Sequence, residues 1–465
     1  MLEGCPVLGW AASGGMALTG QADGAPAASP APAFGLLSSV VSELAAVTRS
    51  TGVEVRADAG ELVAGRAAVA GFQRRGRVSA GGSARLLRTA DGWCAVNLSR
   101  ADDARAVPAI VGLLGVPAGV AGGGSGGLGG RGAGDDEAWG ALEAAARGVT
   151  AEALAGAAQV LGVPAGALPA TLPGRRPGAG PGAGPASGKG GAAPEGRVGR
   201  MAGRSGRTRL AGAVVVDLSS MWAGPLCARL LGLAGADVIK VETPGRPDGG
   251  RAGERRFFDW LHGGHRSVVL DFRSPSGHDA LAALLGVADV VIEASRPRAL
   301  AQLGLAPEMI PHREGQVWLS ITGYGRGDAA AAELVAFGDD AAVAGGLVGW
   351  TDDGPVFCAD AIADPLTGLC GALAVARSVA GGGGELIDLS MREVAAGFAA
   401  AAAIDHGPHA VRAVGGRSGD AVVTCAALGL EQAVLAPAFG GAGRAAVAMG
   451  ADTADVLAWL GTGSA

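Results

Sequence analysis

The sequence predicts an α/β protein, with a Rossmann-like parallel sheet as the large domain and a smaller α+β domain beside it. Three observations predict this. A stretch rich in Gly, Pro, Ser and Arg divides the chain in two. After it, Val- and Ile-rich runs alternate with helical stretches, as in successive βαβ units. Before it, a short hairpin pattern leads into Ala-rich helices.

With 465 residues and 49% apolar side chains the chain can fill more than one core. Its 84 glycines follow no Gly-X-Y period, so a collagen-like fibre is excluded. Forty-three acidic against 37 basic residues, a formal charge of −6, give no general attraction to a polyanion, and nucleic acid is not an expected partner. Cys5, Cys94, Cys227, Cys358, Cys370 and Cys425 are scattered, without a C-x-x-C pair or a His at zinc-ligand spacing. This usage suits a reducing compartment, and no metal site is expected. The N-terminal MLEGCPVLGW has no basic leader pattern, and no run of 18 strongly apolar residues occurs. A cytoplasmic protein without a membrane partner is therefore expected.

In chain order, residues 1–170 read as a small-domain-like N-terminal module. Within it Arg85–Ser99 suggests two short strands around the turn dipeptide Asp91-Gly92. Ala121–Gly134 reads as a Gly-rich loop. Helices are expected over Ala138–Ala146 and Ala151–Leu161, the second with Thr150 as N-cap and Glu152 in its first turn. Residues 171–208 form the linker, clearest over Gly174–Thr208, where almost no large apolar side chain is present to drive ordering.

Residues 209–400 carry the sheet pattern. Strands are expected at Ala213–Leu218, Asp237–Val241, Ser267–Asp271, Asp289–Glu293 and Val317–Thr322, and helices at Pro225–Leu233, Gly277–Leu285 and Arg298–Leu303. Residues 401–465 form a C-terminal segment returning to this domain. The first strand is followed by Ser219-Ser220-Met221-Trp222-Ala223-Gly224-Pro225 instead of a G-x-G-x-x-G turn, so a dinucleotide site is not supported. Lys240 and Glu242 end the second strand, on the side where open α/β sheets place ligands. Asp364-Pro365 reads locally as a helix N-cap and N1 pair opening an apolar stretch.

Six segments in register carry a more specific signal. They are VVVDLSSMWAGPLCARLLGLAGADVIKVETPGRPDGGR (214–251), HRSVVLDFRSPSG (265–277), DVVIEASRPRALAQLGL (289–305), ITGYGRGD (321–328), FGDDAAVAGGLVG (337–349) and DAIADPLTGLCGALAVA (360–376). In this order and spacing they resemble the class III CoA-transferases, the CaiB/BaiF group. The ends resemble the same family in an altered order. SAGGSARLLRTADGWCAVNLSRADD (79–103) is similar to its small-domain segment, which normally follows the sheet. WAASGGMALTG (10–20) is similar to the stretch before its reactive Asp, and GADTADVLAWLG (450–461) to its C-terminus.

The resemblance implies a class III CoA-transferase fold and an enzyme that moves CoA from an acyl-CoA donor to a carboxylic acid. CoA is then a cosubstrate and no cofactor is permanently bound. The family's D-x-x-T-G motif matches Asp364-Pro365-Leu366-Thr367-Gly368, which implies Asp364 as the nucleophile forming a covalent aspartyl intermediate. Implied CoA-binding positions are Arg251, Arg296, Arg266, Lys240, Ala223 and Gly224, the guanidinium groups suiting phosphates. Gly81 and Gly82 match a mobile active-site loop, and Trp222 and Trp260 are candidates for the acyl or pantetheine pocket or for aromatic core. The family pairs as interlocked dimers, so a homodimer is expected unless the N-terminal module supplies the partner's piece within one chain. Related acyl-CoA racemases carry Gly-His-Asp where this chain has Gly338-Asp339-Asp340. An Asp of ordinary pKa is a poor two-way proton shuttle, so transfer is favoured over racemase or isomerase chemistry. A catalytically silent CoA-binding subunit is the further alternative.

Overall fold

The computed structural model describes residues 5–115, 133–171, 194–204, 206–402, 407–414 and 420–461. Its strands, in chain order, are β1 (Ala84–Arg88), β2 (Trp93–Asn97), β3 (Ala165–Ala167), β4 (Arg197–Arg200), β5 (Val214–Asp217), β6 (Asp237–Glu242), β7 (Arg266–Val269), β8 (Val290–Glu293), β9 (Val317–Thr322), β10 (Gly349–Thr351), β11 (Gly354–Val356), β12 (Glu385–Ser390), β13 (His409–Ala413), β14 (Ala421–Cys425) and β15 (Leu430–Ala433). The main sheet has the order β4-β12-β9-β8-β5-β6-β7. Its pairs are parallel except for β4 against β12. All residues of β8 and β9 are buried, because helices cover both faces, and such strands read as continuous apolar runs. Helices Ala223–Leu233, Pro275–Val287 and Arg298–Gln302 connect them. The second starts where Ser274 accepts the Gly277 N–H, with Pro275 at N1. The α/β class and the five expected strands are thus present, with boundaries shifted by one or two residues.

β1, β2 and β3 form an antiparallel sheet. Its hairpin turns at Asp91-Gly92, where the Thr89 N–H reaches the Gly92 carbonyl at 3.0 Å. The pleat splits its side chains between two cores. Leu87, Cys94 and Val96 face helices Ala101–Leu113, Ala133–Ala146 and Ala151–Val160, meeting Ile110, Leu142 and Leu154. Ala84, Leu86, Trp93 and Ala95 face Val343, Val348 and Phe357 of the larger unit, beside the β10–β11 hairpin. Thr150 caps the last of those helices by accepting the Ala153 N–H at 3.2 Å.

Three expectations about organisation are corrected. First, residues 5–70 do not sit with the small sheet. Helices Pro6–Ala12, Ala31–Thr51 and Ala59–Ala70 share one core with Val215, Leu226, Leu319 and Leu373. The Leu37, Val40 and Leu44 stripe of Ala31–Thr51 is buried in that core, where the helix packs on Ala363–Ala380. By length and composition Ala31–Thr51 could also cross a membrane. Second, the expected linker is not uniform. Its residues 174–193 lie outside the described residues, but Arg197–Arg200 pairs as edge strand β4 with every residue exposed. Edge pairing uses main-chain groups and needs no apolar side chain, which is why composition does not show it. Third, residues 121–132 of the expected Gly-rich loop lie outside the described residues, and Ala133 already begins helix Ala133–Ala146.

At the C-terminus β13, β14 and β15 form a separate antiparallel sheet against helix Pro6–Ala12. Helix Thr453–Gly461 lies along the outer edge of β7. There Asp452 Oδ2 accepts the Ser267 N–H at 2.8 Å and Thr453 Oγ1 accepts the Val269 N–H at 3.0 Å. Side chains thereby satisfy an edge strand that would otherwise expose its donors.

Candidate active site

Asp364 lies in the first turn of the 18-residue helix Ala363–Ala380, whose N-cap is Ile362. It is therefore not the cap that its Asp-Pro dipeptide suggests. Its carboxylate accepts the Gly338 N–H at 3.1 Å, and the Ala223 backbone is close enough to favour its ionised form. Gly338 and Ala223 are the first residues of helices Gly338–Ala344 and Ala223–Leu233. Three helix N-termini thus meet at one carboxylate, each offering unpaired N–H groups and a positive dipole end. Gly338 leaves no alternative: a side chain there would overlap the Ala361 carbonyl and the Asp364 carboxylate. Gly368 has the same role one turn along, since an added Cβ would lie 2.6 Å from the Ala223 carbonyl.

Three more carboxylates and one cation surround Asp364. Arg66, from helix Ala59–Ala70, grips Asp360 with two hydrogen bonds of 2.8 and 2.5 Å and stacks 4.7 Å over the Trp222 ring. Asp339 accepts the Ala361 N–H at 3.1 Å. Asp340 accepts the Phe337 N–H at 3.1 Å, with Asn97 of β2 at 3.5 Å. Asp339, Asp340 and Asp360 are buried, while Asp364 is partly exposed. Burial raises the Asp364 pKa to about 7 against the pull of Arg66 and the Gly338 N–H. Burial also raises Asp339 to about 7, with repulsion from Asp360 adding to it, and pushes Asp340 well above the carboxylate range.

The backbone is strained at the same place. Met221, Ala359 and Ala361, with φ of 75°, 51° and 42°, are the non-glycine residues of positive φ among the described residues. Such conformations cost on the order of 1 kcal/mol or more each and persist where the surroundings impose them. Here Ala361 both accepts the Asp364 N–H and donates to Asp339, and Met221 leads into Ala223. The expectation that an Asp at position 339 keeps an ordinary pKa is thereby corrected: enclosure among like charges moves it to the neutral range.

The remaining predicted residues separate into groups. Ala223 and Gly224 are buried at the crossing of helices Ala223–Leu233 and Ala363–Ala380 and contribute backbone to the site. Gly82 adopts φ 78° in a turn closed by its N–H to the Ser79 carbonyl at 2.8 Å. Gly81 faces Phe72 and the Arg66 guanidinium, so this turn lies beside the carboxylate cluster. Trp222 borders Arg66, while Trp260 stacks on Phe257 at 5.7 Å within aromatic core.

Arg296, just beyond the C-terminal end of β8, is exposed, and its side chain has no hydrogen-bonded or ion-pair partner among the described residues. Partial burial and the neighbouring charges of Arg298, Arg246 and Arg100 lower its pKa. This cationic group lies at the carboxyl edge of the sheet, near the point where β6 and β8 diverge from β5, the usual ligand crevice of such sheets.

Arg251 holds Glu242 in a bidentate pair, with contacts of 2.9 and 2.5 Å, and lies over the Phe258 ring at 4.8 Å. Lys240 and Arg266 are paired with carboxylates of the protein itself. Lys240 is 2% exposed, pairs with Asp248 at 2.9 Å and Asp217 at 3.7 Å, and also donates to the Ser219 carbonyl. Its ammonium is thus held inside the protein by two carboxylates and a carbonyl. Arg266 pairs with Asp237, the first residue of β6, at the amino edge of the sheet and away from Asp364. Sequence reasoning missed Arg66 and Asp360. Arg66 stands in an Ala-rich helix about 300 residues from its partner, and no local pattern marks it.

The family model described as CoA-transferase family III matches residues 210–433, the span that contains Asp364 and the sheet. Over this stretch the chain is similar to CoA-transferase family III. Curated relatives of this family include the formyl-CoA:oxalate CoA-transferase of Rhodopseudomonas palustris strain TIE-1, 36% identical over 126 residues, covering 25% of this chain and 30% of that one. The succinate–glutarate CoA-transferase of Agrobacterium fabrum is 31% identical over 207 residues, covering 40% and 51%. The chain thus spans between about a third and a half of the length of these family III relatives. A CaiB/BaiF family protein from Brucella suis, of known crystal structure, is 31% identical with a TM-score of 0.37, covering 41% of this chain and 55% of that one.

Proposed function

We propose that this protein transfers CoA from an acyl-CoA donor to a carboxylic acid, with Asp364 as the nucleophile. The observation that carries the proposal is a partly exposed carboxylate at the meeting point of three helix N-termini. Asp364 attacks the thioester carbonyl and expels CoA thiolate, leaving a mixed anhydride. The thiolate then attacks the aspartyl carbonyl, releasing the donor acid and leaving an aspartyl-CoA thioester. The incoming carboxylate attacks that thioester, and the returning thiolate completes the exchange. Each step passes through a tetrahedral oxyanion, for which N–H donors at helix N-termini are suited, each typically supplying about 100- to 1000-fold in rate. CoA serves as cosubstrate, with its phosphates on Arg296 and the arginines around it, and this chemistry needs no redox group.

One observation favours a second reading. Asp339 and Asp364, both with pKa values near 7, can each take and return a proton, as racemisation at the carbon next to a thioester requires. Burial of Asp339 behind the Ala361 N–H counts against it as a group that touches substrate. For quaternary structure we propose a homodimer, as the family resemblance carries. Arg66 already reaches Asp360 within one chain, so the carboxylate cluster is complete without the partner. Six buried, unbridged cysteines support a cytoplasmic location.

The test is intact-mass analysis with a panel of acyl-CoAs followed by hydroxylamine trapping, on the wild type and Asp364→Ala. An adduct on Asp364 that the variant lacks supports transfer. No adduct, together with solvent deuterium entering the donor, supports the racemase reading. CoA binding with neither outcome identifies a silent subunit.

A further inference from the structure

Two segments distant in sequence meet at a cluster of soft ligands. Cys5 is the N-cap of helix Pro6–Ala12, and its Sγ lies 3.1 Å from His409 Nε2. His409 opens β13 and stands directly opposite Cys425, the last residue of β14, in the antiparallel register. Directly opposed residues project to the same face of a sheet with Cβ atoms roughly 5 Å apart. That face receives the helix: Ala421, Val423 and Cys425 alternate inward along β14, and the Leu435 N–H bonds the Ala11 carbonyl at 2.9 Å. The two sulfurs and the imidazole nitrogen lie within 4.8 Å of one another.

We propose that Cys5, Cys425 and His409 bind a thiophilic divalent ion of the zinc(II) class, which clamps the first helix of the chain to its C-terminal sheet. The donor set selects the ion, because thiolate and imidazole suit zinc and disfavour calcium or magnesium. Zinc–sulfur bonds of about 2.3 Å and zinc–nitrogen bonds of about 2.0 Å at tetrahedral angles place ligand atoms roughly 3.5–3.8 Å apart. The atoms, all within 4.8 Å of one another, reach that geometry if Cys5 and His409 part slightly from 3.1 Å.

Charge also balances. Two thiolates, a neutral imidazole and a divalent ion sum to zero, which avoids the cost of burying a net charge. Cys5 and Cys425 are 3% and 0% exposed, whereas His409 is partly exposed and provides the route of entry. The Leu8 N–H, 3.4 Å from Cys5 Sγ, is oriented to stabilise a thiolate there. Binding releases both thiol protons to solvent, so affinity rises with pH. Three protein ligands leave one tetrahedral position for water. The site joins residues 404 apart, so an ion there crosslinks nearly the whole chain.

The experiment uses the full-length protein, purified under reducing conditions, stripped with chelator and titrated with cobalt(II), then with zinc(II) in competition. The expected result is about one ion per chain, with sulfur-to-cobalt charge-transfer absorption and tetrahedral d–d bands that zinc abolishes. Cys5→Ser and Cys425→Ser lose the charge-transfer band, and His409→Ala weakens binding roughly tenfold or more. Cys94→Ser, in a separate core, keeps the full spectrum. The proposal is overturned if wild-type protein gives no thiolate-to-cobalt band, or if the band survives both cysteine variants. It is equally overturned if thiol trapping finds a Cys5–Cys425 disulfide in the protein as isolated from the cytoplasm. The wild-type spectrum decides the matter even if a variant fails to fold.

Discussion

Two charge-rich clusters are buried in this protein, and they are built on opposite principles. Around Lys240, carboxylates and cations nearly balance. Asp217, Asp248 and Glu242 face Lys240 and Arg251, and burial lowers the pKa of His262 and, to about 3, of His265. Although burial opposes it, Asp217 and Asp248 raise the Lys240 pKa; Lys240 and Arg251 in turn hold Asp248 and Glu242 below their ordinary values. Around Asp364, that carboxylate, Asp339 and Asp360 share the guanidinium of Arg66, Asp340 stands beside Asp339, and the backbone is strained. A balanced buried network fixes geometry. An unbalanced one holds protons that it can release, at a cost in stability that is retained where reactivity needs it.

The largest expected effect separates these roles. Asp364→Asn should lower CoA transfer by at least about a thousandfold, since it removes the proposed nucleophile, while leaving the urea midpoint at pH 8 unchanged or raised. A variant that keeps activity breaks the comparison. Conversely, Lys240→Met should lower stability by about 3–5 kcal/mol in urea unfolding, because it leaves buried carboxylates uncompensated. Weak destabilisation there would mean that water already screens the network.

Next in size is Arg66→Met. It should reduce the rate roughly 10- to 100-fold at pH 7 and move the acidic limb of the pH–rate profile upward, because Arg66 lowers the Asp364 pKa. A fall in rate with an unmoved limb would assign Arg66 a packing role alone.

In the wild type, kcat/KM should rise with pH through an apparent pKa of about 7. Stability should move the other way. Asp364 and Asp339 bind protons more tightly folded than unfolded, since about 7 exceeds the ordinary value of 3.8. Stability from these groups is therefore fullest below about pH 4 and is lost as pH rises toward 7, the change scaling with the protons bound. A urea series across that range, compared with Asp364→Asn, isolates the contribution. The smallest effect belongs to Arg296→Ala. It should raise KM for the CoA donor roughly tenfold, more weakly at high salt, with kcat nearly unchanged.

Much of this architecture was legible before any coordinates. Continuous Val and Ile runs marked β5, β8 and β9, Asp91-Gly92 marked the first hairpin, and Thr150 marked a cap, because each depends on residues close in sequence. Asp364 was singled out by its motif. What misled was also local: Asp364-Pro365 reads as a cap, yet the helix starts one residue earlier, and an Asp at position 339 reads as an ordinary acid. Arg197–Arg200 reads as linker because edge pairing leaves no side-chain signature.

The sequence by itself determined the α/β class and the strand pattern, since periodicity and turn chemistry act over a few residues, while Asp364 was singled out by resemblance to a family motif. Only the tertiary structure decided that residues 5–70 belong to the main core, that Arg66 sits against Asp360, that Lys240 is enclosed, and that Cys5 meets His409 and Cys425. Those outcomes arise from packing between segments that lie far apart in the chain, as Cys5 and His409 do at a separation of 404 residues. Burial and charge balance are properties of such packing, so no reading of neighbours along the chain contains them.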